Sequence, residues 1–427
     1  MDIKEIHQYY LDSSGVCTDT RNITAECIFF ALKGENFNGN LFAQEALDKG
    51  ARKVIVDQQQ FHKNTGETIL VENVLVTLQQ LAVFHRRFLG LPIISLTGSN
   101  GKTTSKELIN AVLSQKYKTV ATIGNLNNHI GVPLTLLSMT MDTELGIVEM
   151  GANHLGEIQM LSEIAQPDYG YITNFGKAHL EGFGSIEGVV QGKTELYQYL
   201  RNNGKKLFVN ANDPKQLENS INIDRITFGT ATNDYNIKMV DSTHYLVVEY
   251  NGVRIQTNLV GSYNFANVSA AVAIGAYFNV STENIKVGIE GYIPANNRSQ
   301  LITKGTNIIL LDAYNANPSS MLAALENFKQ AKGEYKLMIL GDMFELGHEA
   351  EKEHQNIVQF LEENPFGTVY LVGSNFFKTT SSASHIKHFQ DFATLQTTLE
   401  KNSPKKNTIL IKASRGMALE RVLQFIE

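Results

Sequence analysis

The sequence predicts an α/β protein of three domains, a small one followed by two that are each built on a mostly parallel sheet. Three observations carry this. At 427 residues the chain exceeds what one hydrophobic core organises. Short apolar runs of β type alternate with helical stretches in two separate series. The first of these series opens with a strand, a Gly-rich turn and a helix, in that order.

The first domain is expected over residues 1–88. Its apolar runs 27–32 and 54–56 read as strands, and 74–88 has helical spacing. The second, 89–299, begins with the run Ile93-Ile94-Ser95-Leu96 and a helix continuing to Lys116. Runs at 145–150, 169–173 and 207–209 continue the sheet, and residues 236–258 alternate polar and apolar as a hairpin. A helix follows over 264–278, with Phe265, Val268, Val272 and Ala276 on one face. The third domain, 300–427, repeats the alternation with strands at 308–311, 336–340, 369–372 and 408–411. Its helices are expected from Ser319, near 350–361 and at the terminus, the pattern of a doubly wound, Rossmann-like fold.

Composition narrows the function. Hydrophobic residues make up 43% and charged residues 19%, with 33 Gly and 8 Pro, a globular balance. The net charge of -6, without runs of like charge, argues against nucleic acid or an anionic membrane as partner. The start MDIKEIHQYYLD lacks the basic and apolar regions of a leader, and no window is apolar for long enough to span a bilayer, so a cytoplasmic monomer is expected. Cys17 and Cys27 match no metal spacing and read as reduced thiols.

The turn after the strand at 93–96 carries the chemistry. Gly98 and Gly101 let the backbone bend tightly, so that the N–H groups of Ser99, Asn100 and their neighbours can reach phosphate oxygens. Lys102 adds positive charge, and the helix starting near Thr103 and Thr104 adds its N-terminal dipole. The Thr103 hydroxyl suits Mg2+. Leu96 stands where the general phosphate-loop pattern has its first glycine, so a turn with a solvated lysine remains an alternative.

Glu149 ends another apolar run, which places a carboxylate at the strand-end crevice where such sheets bind ligands. His179 follows a third run. Each residue taken singly reads equally as a solvated end group, and Lys193, in a helical stretch, as a solvated lysine.

Longer motifs decide more. Residues 124–134 (GNLNNHIGVPL), 149–158 (EMGANHLGEI), 178–184 (AHLEGFG), 312–318 (DAYNANP) and 340–347 (LGDMFELG) together resemble the Mur ligase family nearly end to end. The family's own phosphate loop has the tighter Gly-x-x-Gly-Lys-Thr form, which accounts for Leu96. The resemblance implies that 1–88 holds a UDP moiety, 89–299 is a P-loop ATPase-like domain and 300–427 closes over the nucleotide. It implies ATP as co-substrate and two Mg2+ sites, one on Thr103 and Glu149, the other on His179 and a Lys193 carbamylated by CO2. Lys102, Lys193, His179 and Arg298 would be catalytic. Arg298 would touch the γ-phosphate, Asn264 and Asn267 the adenine side, and Asp312 the ribose; Tyr263 replaces a histidine usual in the family. Thr20 and Arg21, in a turn that reads equally as plain polar, would meet the uridine side. Asn127, Asn128, His129, Tyr314, Asn315 and Asn317 would contact substrate. The implied reaction joins D-Ala-D-Ala to a UDP-MurNAc-tripeptide through an acyl phosphate. Another amide ligase of the family, a folylpolyglutamate synthase-like enzyme and a P-loop switch ATPase are the competing readings.

Overall fold

The computed structural model describes residues 2–230, 233–295 and 297–427. Three parallel-rich sheets follow one another along the chain. The first has four parallel strands in the order Val16–Cys17, Ile28–Phe30, Lys53–Val56 and Thr68–Leu70. Its inner strands are buried but for Lys53, as parallel strands covered by helices must be. Cys17 and Cys27 are buried and free.

The helix Val74–Leu89 leads out of this sheet. Asn73 caps its start, and Gly90, left-handed at φ 64°, ends it. It packs on helices Gly131–Leu136 and Glu157–Ala165 of the next unit. At that joint a chain of bonds fixes two tautomers. The Met139 carbonyl can only accept, so His85 Nε2 donates to it at 2.9 Å; His85 Nδ1 must then accept from His7 Nε2, 3.0 Å away. Burial, with His85 adding to it, pushes His7 from its ordinary 6.5 to about 4. The unfolded chain therefore binds this proton first, so the stability the neutral ring confers is complete above pH 6.5 and drains away as pH falls toward 4. Thermal unfolding followed from pH 8 to 4 is expected to show that decline. His7→Gln, which keeps a donor but does not titrate, should flatten it.

The central sheet has nine strands in the order Val253–Val260, Tyr245–Tyr250, Tyr235–Asp241, Arg225–Gly229, Lys206–Asn210, Tyr169–Ile172, Ile93–Thr97, Leu145–Glu149 and Thr119–Ala121. The last seven in that order are parallel, and Tyr245–Tyr250 runs antiparallel to both of its neighbours. The stretch expected as one hairpin is a three-stranded meander, because a second reversal occurs at Ser242-Thr243-His244. Strand Ile93–Thr97 lies between Leu145–Glu149 and Tyr169–Ile172, so the strand order reverses beside it. A crevice opens at the carboxyl ends there.

Helix Lys102–Leu113 ends three residues short of the expected Lys116. Helix Phe265–Tyr277 lies against it with Asn267 to Gly275 all buried. A Cβ on Gly275 would sit 2.3 Å from Val112 Cγ1, so the close approach requires glycine.

The third sheet runs Gln300–Lys304, Asn307–Asp312, Asn407–Lys412, Tyr335–Gly341, Thr368–Val372 and Ile386–Phe389, parallel except for its first strand. The terminal segment expected as an α-helix is the tighter 3-10 form at Leu419–Phe425. Among the described residues no helix is long and apolar enough to cross a membrane.

Candidate active site

Four residues join the strand Ile93–Thr97 to the helix Lys102–Leu113, and two of them are constrained to glycine. Gly98 has φ 143°, and a Cβ there would lie 2.0 Å from Thr173 Oγ1; Gly101 has φ 79° and abuts Asn267. Thr173 and Asn174, from the neighbouring strand end, hold the loop open. The Thr173 hydroxyl donates to the Asn100 carbonyl at 2.6 Å, and Asn174 Oδ1 accepts from Asn100 N at 3.1 Å. Asn267 Oδ1 accepts from Ser105, and Asn267 Nδ2 donates to Asn264 Oδ1, which ties the helix start to the helix Phe265–Tyr277. Lys102 Nζ curls back to donate to Gly98 O at 2.7 Å. Burial lowers its proton affinity, and the Glu149 carboxylate opposes that.

Glu149 lies at the adjacent strand end, almost fully buried. Its Oε1 accepts from Asn127 Nδ2 at 2.8 Å and from the Thr103 hydroxyl at 3.3 Å, while Oε2 is buried with no hydrogen-bond partner. A buried carboxylate oxygen without a partner is costly unless a cation or donor joins it. Hard oxygen donors of this kind fit Mg2+. Among the described residues no cluster of three or more His, Cys, Asp or Glu is arranged for a metal, so a cation here would depend on ligand oxygens for the rest of its shell.

The third sheet supplies the opposite wall. Asp312 Oδ1 accepts from Ser299 N, and Lys412 Nζ donates to Oδ2 and, at 3.4 Å, to the Asn315 carbonyl. Asn317 caps the helix Pro318–Gln330, its Oδ1 accepting from Ser320 N. Asn317 Nδ2 also donates to Asn100 Oδ1 at 2.7 Å, joining the third sheet to the phosphate loop itself. Lys177 N donates to the Ser319 hydroxyl, and Lys177 pairs with Glu353 at 2.5 Å. The Arg298 guanidinium lies on the Tyr314 ring, 3.5 Å from its centre. Tyr263, in the position of the absent histidine, is 2.9 Å from the Ser299 hydroxyl.

His179 is left-handed at φ 53° and places Nδ1 2.6 Å from Glu345 Oε2. The contact holds the Glu345 carboxyl below its usual range. Lys193 was expected to be either solvated or a ligand beside His179. It is fully buried, donates to Ala152 O at 3.1 Å and lies over the Phe183 ring, and no hydrogen bond joins it to His179 among the described residues. Burial, with Lys102 next, drives its pKa well down.

These groups enclose one cleft of about 870 Å3, lined by Ser99 to Thr104, Asn127, Asn128, Glu149, His179, Asn264, Asn267, Arg298, Asp312, Tyr314, Asn315 and Asn317. Five expected site residues lie outside its lining: Gly98, Lys193, Thr20, Arg21 and His129. His129 turns its carbonyl to Gln79; Thr20 and Arg21 sit on the first unit, where the Arg21 side chain is 86% exposed and paired with Asp19.

Residues 96–275 match the Mur ligase middle domain, and residues 297–415 match the Mur ligase glutamate ligase domain. The UDP-N-acetylmuramoyl-tripeptide--D-alanyl-D-alanine ligase of Bacillus subtilis is 36% identical over 424 residues, spanning 96% of this chain and 92% of its own length. The chain belongs to the Mur ligase family. Two solved Mur ligases share the architecture. MurF from Acinetobacter baumannii superimposes with a TM-score of 0.85 at 29% identity, covering 99% of this chain and 97% of that one. MurF from Thermotoga maritima, in complex with ADP, gives 0.83 at 26%, covering 96% of each.

Sequence reasoning missed several groups on the wall of this Mur ligase cleft, among them Glu345, Lys412 and Arg415. Lys412 ends a buried strand just as Glu149 does. The same strand-end signal, applied to the run at 408–411, would have found it.

Proposed function

We propose that this Mur ligase uses ATP to join D-alanyl-D-alanine to UDP-N-acetylmuramoyl-tripeptide. One observation supports a ligase over a switch ATPase: the bond from Asn317 to Asn100 puts the strand ends of the third sheet and the phosphate loop in one cleft. A protein that only hydrolyses nucleotide needs no second wall. The substrates follow from the nearly full-length match to proteins carrying that name.

The chemistry then runs in two displacements. A carboxylate does not exchange its oxide for an amine in water, so the tripeptide's terminal carboxylate oxygen first attacks the γ-phosphorus of ATP in line, and ADP leaves. Lys102 and the loop amides hold the transferring group, with Arg298 at its far side. The amine of D-Ala-D-Ala next attacks the acyl carbon; the C–O bond to phosphate breaks, phosphate departs, and the amine loses its proton. Contacts between the central and third units exclude water, which would otherwise consume the acyl phosphate. Asn264 and Asn267 would flank the adenine, Asp312 the ribose, and Asn127, Asn128, Asn315 and Tyr314 the peptide ends.

Mg2+ on Thr103 and Glu149, with a second ion on His179 and a carbamylated Lys193, would supply positive charge at the phosphates. A buried amine whose proton affinity is lowered supports the carbamate, because only the unprotonated nitrogen adds CO2, releasing a proton and leaving an anionic oxygen ligand. We assign 1–88, with Thr20, Arg21 and His129 toward the UDP-sugar side, to nucleotide-sugar binding, 89–299 to ATP and 300–427 to closure. We assign a monomer, and ATP as co-substrate supports a cytoplasmic location.

Phosphate release with each component withheld in turn is the test. Release is expected only when ATP, UDP-MurNAc-tripeptide and D-Ala-D-Ala are all present. Equal release without the dipeptide would sink the ligase reading, and glutamate replacing it productively would favour the folate-type ligase.

A further inference from the structure

The incoming dipeptide has two charged ends, and the reaction consumes only one. Its amine becomes the new amide, while its carboxylate remains an anion inside a cleft and needs a partner there. The basic side chains lining the cleft are Lys102, His179, Lys215, Arg298, Lys412 and Arg415. Most are committed. Lys102 is folded into the phosphate loop, His179 faces Glu345, and Lys412, with 2% of its side chain exposed, is held by Asp312. Arg298 lies flat on Tyr314. Lys215 sits on the short helix Pro214–Asn219, in the same unit as the phosphate loop.

Arg415 differs from these. Its side chain is 63% exposed, and its one carboxylate contact, Glu420 Oε1, is 3.5 Å away, which steadies the guanidinium and leaves donors free. It stands on the turn after the strand Asn407–Lys412, with its guanidinium carbon 5.6 Å from the centre of the Tyr314 ring. The adjoining Gly416 faces Phe344, whose N donates to the Ser414 hydroxyl, and Phe344 precedes the Glu345 that reaches across to His179. The phosphoryl group of the activated substrate must face the phosphate loop, so the amine arrives from this opposite wall.

We infer that the Arg415 guanidinium binds the C-terminal carboxylate of the incoming D-Ala-D-Ala and selects a dipeptide acid as second substrate, an inference that rests on the function proposed above. A planar fork matches a carboxylate with two parallel bonds, which neither a lysine nor a backbone amide reproduces.

Steady-state kinetics with D-Ala-D-Ala and with its C-terminal amide test this. The unmodified enzyme should prefer the acid by roughly 10- to 100-fold, the range expected for one charge-assisted pair. In Arg415→Met the KM for D-Ala-D-Ala should rise by a similar factor, with kcat and the KM values for ATP and UDP-MurNAc-tripeptide little changed, and acid and amide should become equivalent. Arg415→Lys should restore part of the preference. An undiminished preference for the acid in Arg415→Met, or a parallel rise in all three KM values, overturns the inference and leaves the ligase reading standing. If the unmodified enzyme releases no phosphate with D-Ala-D-Ala, the ligase reading falls first and takes this inference with it.

Discussion

Lys102→Met is expected to lower ligase turnover by on the order of 10³-fold, the scale seen when one preorganised charge-stabilising group is removed from an active site. Methionine keeps the length of the stem and removes the charge. The ammonium lies inside the loop, 2.7 Å from the Gly98 carbonyl, in a site where burial already disfavours its proton and Glu149 retains it. Phosphoryl transfer spreads negative charge over oxygens that this group faces, so the loss falls on kcat more than on ATP affinity. Single-turnover phosphate release beside an equilibrium ATP titration separates the two; a variant within tenfold of the parent would show that Lys102 only shapes the loop.

Lys193→Ala should be nearly as damaging, and for a different reason. The residue is fully buried over Phe183 with its proton affinity lowered, so its loss removes the nitrogen proposed to carry the carbamate. Activity should fall by on the order of 10²- to 10³-fold, the range for losing one group that stabilises transition-state charge. Short-chain carboxylic acids should restore part of it by placing a carboxylate in the vacated space. Lys193→Met, which fills that space, should be as inactive and should not respond to the acids, which separates loss of the ligand from damage to the core. Full activity in either variant, or in the parent enzyme in CO2-free buffer, would remove the carbamate from the mechanism.

How much of this was legible in the sequence depended on whether the signal was local. The phosphate loop was legible because a tight strand-to-helix turn needs glycine at Gly98 and Gly101, and those glycines are visible in the primary structure. The absent first glycine has a plain cause: Leu96 is a buried strand residue, since the strand runs to Thr97 and the turn is shorter than the general pattern. Glu149 and Asp312 were legible as strand-end carboxylates. Glu345 lay inside the motif 340–347 without a role of its own, and nothing in the neighbourhood of Arg415 distinguishes it from a solvated charge until the third sheet is placed opposite the second. The meander and the 3-10 terminus were misjudged where short segments offered too few periods to separate one form from another.

The amide of Asn317 has one hand on its own helix start and the other on Asn100, inside the loop that grips phosphate. Where ATP favours the form that makes this bond, thermodynamic reciprocity makes nucleotide affinity and the hold between the two units two readings of a single quantity. Whatever free energy the bound triphosphate lends to the shut form, the shut form returns as slower nucleotide escape. A substitution at position 317 should therefore register in ATP residence time as strongly as in interdomain motion, although the residue need never touch the nucleotide.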